Sequence, residues 1–285
     1  NYIMTISYFF IFSLNNSGTT IMSQYLEANL DNSYLPPFGN NEGQTAPKVK
    51  NIMRKKPWDP ETSYDWKFIK NQWDELAIIN GNSKFIEASP PNMMRVKSIL
   101  DTFKNSKYIF SISSPYSYIA SSLFNYSFRL KEPKTIKNIN NDDFNQQIIK
   151  STKKWIKKAT LQRKNIEIFG SPTQRTSYEE FCAKPDTLLK KLDINLRESK
   201  HQVSNISGKG NTKVKEIIDM LPKHLSFLGL GGIQAVNSIL VRNQELINFF
   251  GYKPLSIKDA NIILSENILL ALEGQDRRRE KRILT

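Results

Sequence analysis

The chain has 285 residues, of which 39% are apolar and 24% are charged, as in an ordinary globular protein. Its 41 basic and 27 acidic residues give a net charge of +14, so we expect an anionic partner: a phosphorylated nucleotide, an acidic glycan, a nucleic acid or a membrane surface. The single cysteine, Cys182, excludes an intramolecular disulfide and a cysteine-based metal site. Two histidines are too few for a histidine-rich zinc centre, so we expect no metal.

The first predicted element is an apolar run over residues 3–14, which we interpret as a buried β-strand. The run is too short to span a bilayer, and it lacks the basic start and the small-residue cleavage site of a signal peptide. Together with the single cysteine, this favours a cytoplasmic location. The chain begins with Asn1 rather than Met, and an upstream segment is left open.

A short polar turn, Ser17-Gly18-Thr19-Thr20, follows this strand and carries the strongest functional signal. After it, four apolar residues recur at helical spacing: Ile21, Met22, Tyr25 and Leu26. Glycine lets a backbone approach an anion closely, and the free N–H groups at a helix start attract negative charge, so the turn is typical of a phosphate site. The alternative is that Ser17 only caps the helix. No Lys follows Gly18, so the turn is not a Walker A sequence.

The rest of the chain alternates predicted helices and strands. Residues 31–60 are rich in Pro and Gly, and we expect a binding loop there. Helices are predicted over residues 61–79, 90–103, 115–130 and 144–159, and over most of the chain beyond residue 204. Trp155 lies on the apolar face of the fourth of these helices, opposite a face of lysines. Further strands are predicted over residues 84–87, 107–113 and 165–169.

This alternation predicts an α/β fold, a P-loop-like three-layer sandwich with a central, mostly parallel sheet and helices on both faces. Ligands bind such sheets at the carboxyl ends of the strands, where the strand order reverses. Three polar turns, which contain Ser17, Glu87 and Ser113, follow predicted strands, so we expect them at one rim of the sheet. Residues 1–272 are expected to form a single domain, and the basic residues 273–285 a flexible tail.

Several segments, taken in chain order, resemble the sulfotransferase family, which transfers a sulfuryl group from 3′-phosphoadenosine-5′-phosphosulfate (PAPS) to a hydroxyl or amine. The residue 17–20 turn resembles the loop that holds the 5′-phosphosulfate, and residues 85–92 are similar to the family's Glu-Lys-Ser-Pro segment. The remaining matches are residues 108–121 for the 3′-phosphate segment, Trp155 with Gln162 and Asn165 for the bacterial and carbohydrate-type branch, residues 178–185, residues 208–210 and residues 250–252. The resemblance covers about residues 3–252.

This resemblance implies roles for particular residues. Glu87 would be the general base that takes the acceptor proton; its alternative role is a strand-end salt bridge or a cap. The implied nucleotide-binding residues are Asn16, Ser17, Gly18, Thr19, Thr20, Ser113, Ser121, Lys209 and Gly210. Among them Ser121 and Lys209 would bind the 3′-phosphate, unless Ser121 is a packed helix serine and Lys209 a solvated loop lysine.

Three positions depart from the family's pattern, since Asn16, Ala88 and Ser113 stand where the family carries a cation. Charge-assisted hydrogen bonds to phosphate are roughly twice as strong as neutral ones, so these replacements should weaken nucleotide binding. Either other cations compensate, or this copy is catalytically impaired and serves as a binding protein for a nucleotide or an anionic ligand. The candidates for compensation are Lys209, Arg95, Arg129 and, more weakly, Arg175.

The acceptor is expected to be a glycan or glycolipid, because the match is closer to the carbohydrate branch than to the small-phenol branch. We expect no nucleic acid partner and no transmembrane segment, and the oligomeric state is left open. Two rival interpretations stand beside the enzyme. The charge and the lysine face suggest nucleic acid binding, for which no motif is present, and the loop suggests a P-loop kinase, which the missing Lys disfavours.

Overall fold

The structure is a computed structural model that describes residues 5–129, 141–171, 174–195 and 217–283. Its internal contacts divide the chain into two compact units. Unit 1 comprises residues 1–112 and 164–218, and unit 2 comprises residues 113–163 and 219–285. The predicted site residues Lys209 and Gly210 lie outside the described residues.

Unit 1 contains a five-stranded, wholly parallel sheet among the residues described. The strands are β1 (Ser7–Ser13), β2 (Ser33–Tyr34), β3 (Lys84–Glu87), β4 (Ser106–Ile112) and β5 (Arg175–Ser177). Their order is β2-β3-β1-β4-β5, so β1 is central and the chain crosses from one side of it to the other after β3. The strand order therefore reverses beside β1, which is where such sheets bind ligands.

The helices fill the connections between these strands and form most of unit 2. In chain order they are α1 (Thr19–Asn29), α2 (Lys50–Met53), α3 (Trp66–Ile79), α4 (Val96–Thr102), α5 (Pro115–Arg129), α6 (Asn141–Phe169), α7 (Tyr178–Ala183), α8 (Asp186–Lys191), α9 (Leu221–Leu240), α10 (Gln244–Phe249), α11 (Ile257–Glu266) and α12 (Ile268–Ile283). Short 3-10 segments cover Gly43–Thr45, Pro90–Arg95 and Val241–Asn243.

Both faces of the sheet in unit 1 are covered, because successive side chains of a strand point to opposite faces. On one face Phe9 and Ile11 belong to a core cluster with residues of α1, α7 and α8. On the other face Tyr8 and Phe10 pack on an aromatic cluster that includes Trp73 of α3. The predicted α/β fold with helices on both faces is thus confirmed, and the sheet is wholly rather than mostly parallel.

The predicted strand over residues 165–169 is wrong, because these residues form the end of α6. Their alternating apolar pattern suggests a strand, but Ile166 is 7% exposed and Ile168 is 58% exposed. Residues two apart would share a face in a strand, whereas a helix places them on different sides. The strand that pairs with β4 is β5, which follows α6. The predicted 31–60 loop also contains β2, α2 and a 3-10 turn.

Unit 2 is helical in its described residues. Trp155 of α6 is fully buried, and its indole N–H donates to the carbonyl of Ser113 at 3.1 Å, so it is a core residue. The lysine face of α6 is less uniform than predicted, since the Lys158 ammonium lies 5.8 Å from the ring centroid of Tyr118. Burial, and secondarily the nearby Lys154 charge, lower the pKa of Lys158 to about 7.

The C-terminal part of the chain is helical in its described residues. Helix α12 runs through the basic stretch that was expected to be flexible, and Arg278 donates to the carbonyl of Leu228 at 2.9 Å. The division into a 1–272 domain and a 273–285 tail stays a prediction. Within the described residues one segment, Leu221–Phe249, is long and apolar enough to cross a membrane, and half of its most apolar window is buried inside the protein.

Candidate active site at the carboxyl edge of the sheet

The loop of residues 14–18, here called the Gly18 loop, joins β1 to α1 and has two left-handed residues. Asn16 has a φ of 57° and Gly18 a φ of 73°. A Cβ on Gly18 would lie 2.2 Å from the ring of Tyr178, the first residue of α7. Only glycine both adopts the left-handed region freely and leaves room for the Tyr178 ring at position 18. At position 16 Asn tolerates the left-handed region through its short polar side chain. The residue type at both positions therefore follows from the backbone.

The start of α1 has the features of an anion site. Gly18 occupies the N-cap position, so no side chain caps the helix, and the first turn carries no acidic residue. The first N–H groups of a helix lack acceptors within the helix, and the helix dipole favours negative charge beside them. Ser17 is buried and precedes the cap position, so the alternative in which Ser17 is the N-cap is wrong. Thr19 and Thr20 follow at the first two helical positions.

Sequence analysis missed Ser13, the last residue of β1. Its side chain is fully buried, and the described residues provide no hydrogen-bond partner for its Oγ. A buried polar group without a partner is costly, and such groups are rare in native structures. A serine that ends an apolar strand was the only signal for it in the sequence.

Glu87, the last residue of β3, lies at the carboxyl end of the strand next to β1. The side chain is 1% exposed and is surrounded by donors. Its Oε2 accepts from the backbone N–H of Gly43 at 2.7 Å, and its Oε1 accepts from the backbone N–H of Ser89 at 2.9 Å and from Nδ2 of Asn92 at 2.8 Å. No salt bridge to Glu87 occurs in the described part of the chain, so the salt-bridge alternative is not supported.

The environment of Glu87 raises its pKa from 4.5 to about 7. Burial is the largest cause, because the charged carboxylate is removed from water, and the negative charge of Glu42 adds to it. The hydrogen bonds from Ser89 and Gly43 oppose this rise, since they stabilise the charged form. A carboxyl group that titrates near neutrality can take and release a proton, as a general base must.

The connection between β2 and α2 contacts both the Glu87 carboxylate and α1, the helix that follows the Gly18 loop. Gly43 of this connection donates to Glu87, as described above, and Asn40 and Asn41 contact α1. The hydroxyl of Thr20 lies 3.4 Å from the carbonyl oxygen of Asn40, and Nε2 of Gln24 donates to Oδ1 of Asn41 at 3.1 Å. The connection after α1 therefore lies against both the proposed anion site and the buried carboxylate.

Arg95, the candidate for a compensating cation that the structure describes best, is already engaged elsewhere. Its guanidinium is 4.2 Å from the ring centroid of Tyr64 and the residue is 6% exposed. It donates to the backbone carbonyls of four loop residues: Lys56, Pro57, Asp59 and Thr62. Arg95 therefore holds this loop in place rather than replacing a phosphate-binding cation. Ala88 packs in the core beside α1, so position 88 supplies no charge.

The remaining site residues belong to unit 2 or lie outside the description. Ser113 is fully buried, and its carbonyl accepts the indole N–H of Trp155. The Ser121 hydroxyl lies 3.4 Å from Nε2 of His224, a contact that favours the packed-serine alternative. The side chain of Arg129 is not described, and neither are Lys209 and Gly210. In the described ranges, no group of three or more His, Cys, Asp or Glu side chains could hold a metal ion.

Comparison with solved structures gave likenesses at low sequence identity. No family model and no curated protein matches the chain. A solved sulfotransferase from Alicyclobacillus acidocaldarius is 15% identical with a TM-score of 0.42, over 82% of this chain and 95% of that one. The sulfotransferase STF9 from Mycobacterium avium is 11% identical with a TM-score of 0.43, over 93% of this chain and 76% of that one.

Proposed function

We propose that this chain is a sulfotransferase-like enzyme that binds PAPS and transfers its sulfuryl group to a hydroxyl or amine. The observation that carries the proposal is the Gly18 loop. Its left-handed glycine, pressed against Tyr178, opens a helix directly after the central strand, where the strand order reverses. A helix start at such a position commonly binds phosphate, and the sequence around the loop resembles the 5′-phosphosulfate loop of that family.

In this proposal the start of α1 holds the 5′-phosphosulfate of the donor. The backbone N–H groups and hydroxyls of Thr19 and Thr20 donate to its oxygens, with Ser17 and Asn16 beside them. The dipole of α1 adds to this stabilisation without any charged side chain. By resemblance alone, Ser113, Ser121, Lys209 and Gly210 bind the nucleotide on its 3′-phosphate side.

Glu87 is proposed as the general base of the transfer. It takes the proton of the acceptor hydroxyl while the acceptor oxygen bonds to sulfur and the bond from sulfur to the 5′-phosphate oxygen breaks. The products are the sulfated acceptor and 3′-phosphoadenosine-5′-phosphate. A pKa of about 7 suits this role, because the carboxylate is present at neutral pH and still basic enough to take a proton. As in phosphoryl transfer, the rest of the catalysis is positioning and electrostatics.

The proposed acceptor is a glycan or glycolipid hydroxyl, and its support is the resemblance to the carbohydrate-type branch. A second candidate function is a sulfotransferase-fold protein that binds a nucleotide or another anionic ligand without transfer. The observation in its favour is that the expected cations are not replaced. Neutral residues stand at two of the family's cationic positions, Asn16 with a left-handed backbone and Ala88 in the core, and the Arg95 guanidinium is engaged with its own loop.

The test is calorimetric titration of the folded protein with 3′-phosphoadenosine-5′-phosphate, with ATP and 5′-AMP as controls. We expect micromolar affinity that requires the 3′-phosphate. If a protein with a cooperative thermal transition binds none of the three, the donor class is wrong and the enzyme is excluded. If it binds but transfers nothing from PAPS to a panel of glycans and amines, the non-catalytic candidate replaces the enzyme.

A further inference from the structure

We propose that a cavity in unit 1, between the loop of residues 60–64, helix α4 and the last residues of α6, binds one neutral sugar ring. This cavity, here called the 60–64 cavity, has a volume of about 290 Å³. Pockets for drug-sized ligands measure about 300–1,000 Å³, so the 60–64 cavity suits a single small ring. The inference goes beyond the proposed function, because binding here requires neither the nucleotide donor nor Glu87.

The floor of the 60–64 cavity is formed by buried residues that hold each other in place. Arg95 lines the cavity and donates to four backbone carbonyls of the preceding loop, including that of Thr62 at 2.9 Å. Its guanidinium also lies 4.2 Å from the ring centroid of Tyr64, a second lining residue. A loop held by so many contacts keeps its shape without a ligand, so the cavity is largely preformed, as small-molecule sites usually are.

The floor contains one polar atom that the protein itself does not use. Asn165 of α6 lines the cavity and is 6% exposed. Its Nδ2 donates to the Met93 carbonyl at 2.8 Å, and its Oδ1 makes no hydrogen bond within the described residues. Leaving a buried acceptor without a donor costs free energy. A hydroxyl group of a ligand in the cavity would supply that donor.

The mouth of the cavity offers three more polar groups, the hydroxyls of Ser63 and Ser98 and the carboxylate of Glu61. All three residues line the cavity and are exposed, and no hydrogen bond or ion pair of their side chains occurs in the part of the chain that the structure describes. A hydroxyl both donates and accepts, whereas a carboxylate only accepts. Together with Oδ1 of Asn165, these groups match the hydroxyls of a sugar ring, which also donate and accept.

An aromatic side chain provides the apolar part of the lining. Phe169 at the end of α6 lines the cavity and is half-buried, and its ring contacts no other aromatic ring among the described residues. A sugar ring has hydroxyls at its edge and C–H groups on its faces. An aromatic ring beside hydrogen-bonding groups therefore complements both parts of a sugar, since its large apolar surface packs on the C–H groups.

The charges around the cavity favour a neutral ligand. Arg95 has already committed its N–H groups to carbonyls, and Lys97 at the mouth is paired with Asp101 at 2.6 Å. The Glu61 carboxylate would repel an anion, while the two nearby cations would repel a cation. An apolar ligand would leave Oδ1 of Asn165 without a donor. Among these ligand classes, a neutral molecule with several hydroxyls is the one that all the lining residues accept.

The test is saturation-transfer NMR on the full chain at neutral pH, without nucleotide. The probes are glucose, galactose, mannose and N-acetylglucosamine, with cyclohexanol as a ring that has one hydroxyl and excess sodium sulfate as a competitor. We expect at least one sugar to bind in the millimolar range, as for a small ligand held by a few neutral hydrogen bonds. Cyclohexanol should not bind, and sulfate should not displace the sugar. Binding of none of the four sugars, or displacement by sulfate, overturns the proposal.

Variants locate the bound sugar. Ser98→Trp fills the mouth from an exposed position and should abolish binding, whereas Ser98→Ala and Glu61→Gln should each weaken it about two- to tenfold, as for one hydrogen bond. Ser265→Ala and Glu266→Gln change exposed residues of unit 2 and are the matched controls, which should bind as the wild type does. All variants should keep the thermal transition of the wild type. Sugar binding that survives Ser98→Trp, or that neither Ser98→Ala nor Glu61→Gln weakens, contradicts the proposal.

The sugar site and the proposed function fail separately in these experiments. Sugar binding that depends on Ser98 in a protein that binds no 3′-phosphoadenosine-5′-phosphate supports the site and removes the sulfuryl-transfer function. Nucleotide binding in a protein that binds none of the sugars keeps the donor class and removes the site.

Discussion

The Gly18 loop after β1 and the Glu87 segment after β3 lie at the carboxyl ends of neighbouring strands, yet they use their backbone donors differently. The start of α1 has no acidic residue and no capping side chain, so its N–H groups can serve an external anion. The N–H groups of Gly43 and Ser89 already have an anion from the protein itself, the Glu87 carboxylate. One edge of the sheet thus contains both a proposed ligand site and a buried, hydrogen-bonded carboxylate of the protein itself.

Among the proposed variants, Gly18→Ala should have the largest effect on nucleotide binding and on stability. The left-handed backbone costs about 1–2 kcal/mol for a residue with a Cβ, and the Cβ would lie 2.2 Å from Tyr178. We expect nucleotide binding to fall below detection and the protein to lose about 3 kcal/mol of stability, since strain and overpacking add. Calorimetry and urea unfolding measure the two effects.

Two controls sharpen the Gly18 result. Gly231→Ala, at a helical glycine with open space, should change neither quantity. Adding Tyr178→Ala to Gly18→Ala should relieve the clash but not the backbone strain. Wild-type affinity in the Gly18→Ala protein would show that the anion binds elsewhere.

The next largest effect is the change in stability with pH that the buried Glu87 carboxyl group causes. Because the pKa of Glu87 is raised from 4.5 to about 7, the folded protein binds more protons than the unfolded chain between these values. Stability should therefore fall as pH rises through this window, by about 3 kcal/mol in total from this one group. Glu87→Gln cannot titrate and should lack this component of the pH profile.

Urea unfolding at a series of pH values measures this difference. Glu75→Gln, an exposed carboxylate paired with Lys48, should retain the wild-type slope. Parallel profiles for wild type and Glu87→Gln would mean that Glu87 titrates normally and that its donors fully offset its burial.

A smaller effect is expected from restoring a cation with Asn16→Lys. A Lys in the left-handed backbone of φ 57° is strained, and this strain offsets part of the binding free energy that its charge adds. A charge-assisted bond to phosphate should still tighten 3′-phosphoadenosine-5′-phosphate binding about tenfold. Asn16→Ala carries the same backbone strain without the charge and is the matched control. Equal affinities in the two variants, measured by calorimetry at low salt, would place position 16 away from the phosphates.

The smallest effect is expected for Thr20→Val. The hydroxyl of Thr20 makes one long contact, 3.4 Å to the Asn40 carbonyl, so its loss should hardly change stability. If it donates to the donor phosphate, affinity should fall about two- to tenfold, as for one neutral hydrogen bond. Unchanged affinity with an unchanged melting temperature would mean that the Thr20 hydroxyl does not donate to the phosphate.

Local sequence determined much of this architecture. The apolar run before Ser17 and the helical spacing after it predicted β1 and α1, and the strand Lys84–Glu87 agrees residue for residue. Trp155, which the sequence placed on the apolar face of a predicted helix, is fully buried. These features succeed because burial imposes a period of two on strands and of 3.6 on helices, which a short window of sequence already shows.

Tertiary structure decided the rest. The end of α6 was taken for a strand, because five alternating residues fit a strand as well as the last turn of a long helix. The donor from Gly43 to Glu87 comes from 44 residues away, and the ring that excludes a side chain at Gly18 comes from Tyr178. The hydrogen bonds of Arg95 to its own loop likewise could not be predicted from the sequence. Hydrogen-bond partners, steric limits and burial at these sites depend on segments distant in the chain, and a local pattern contains no information on which of them will meet.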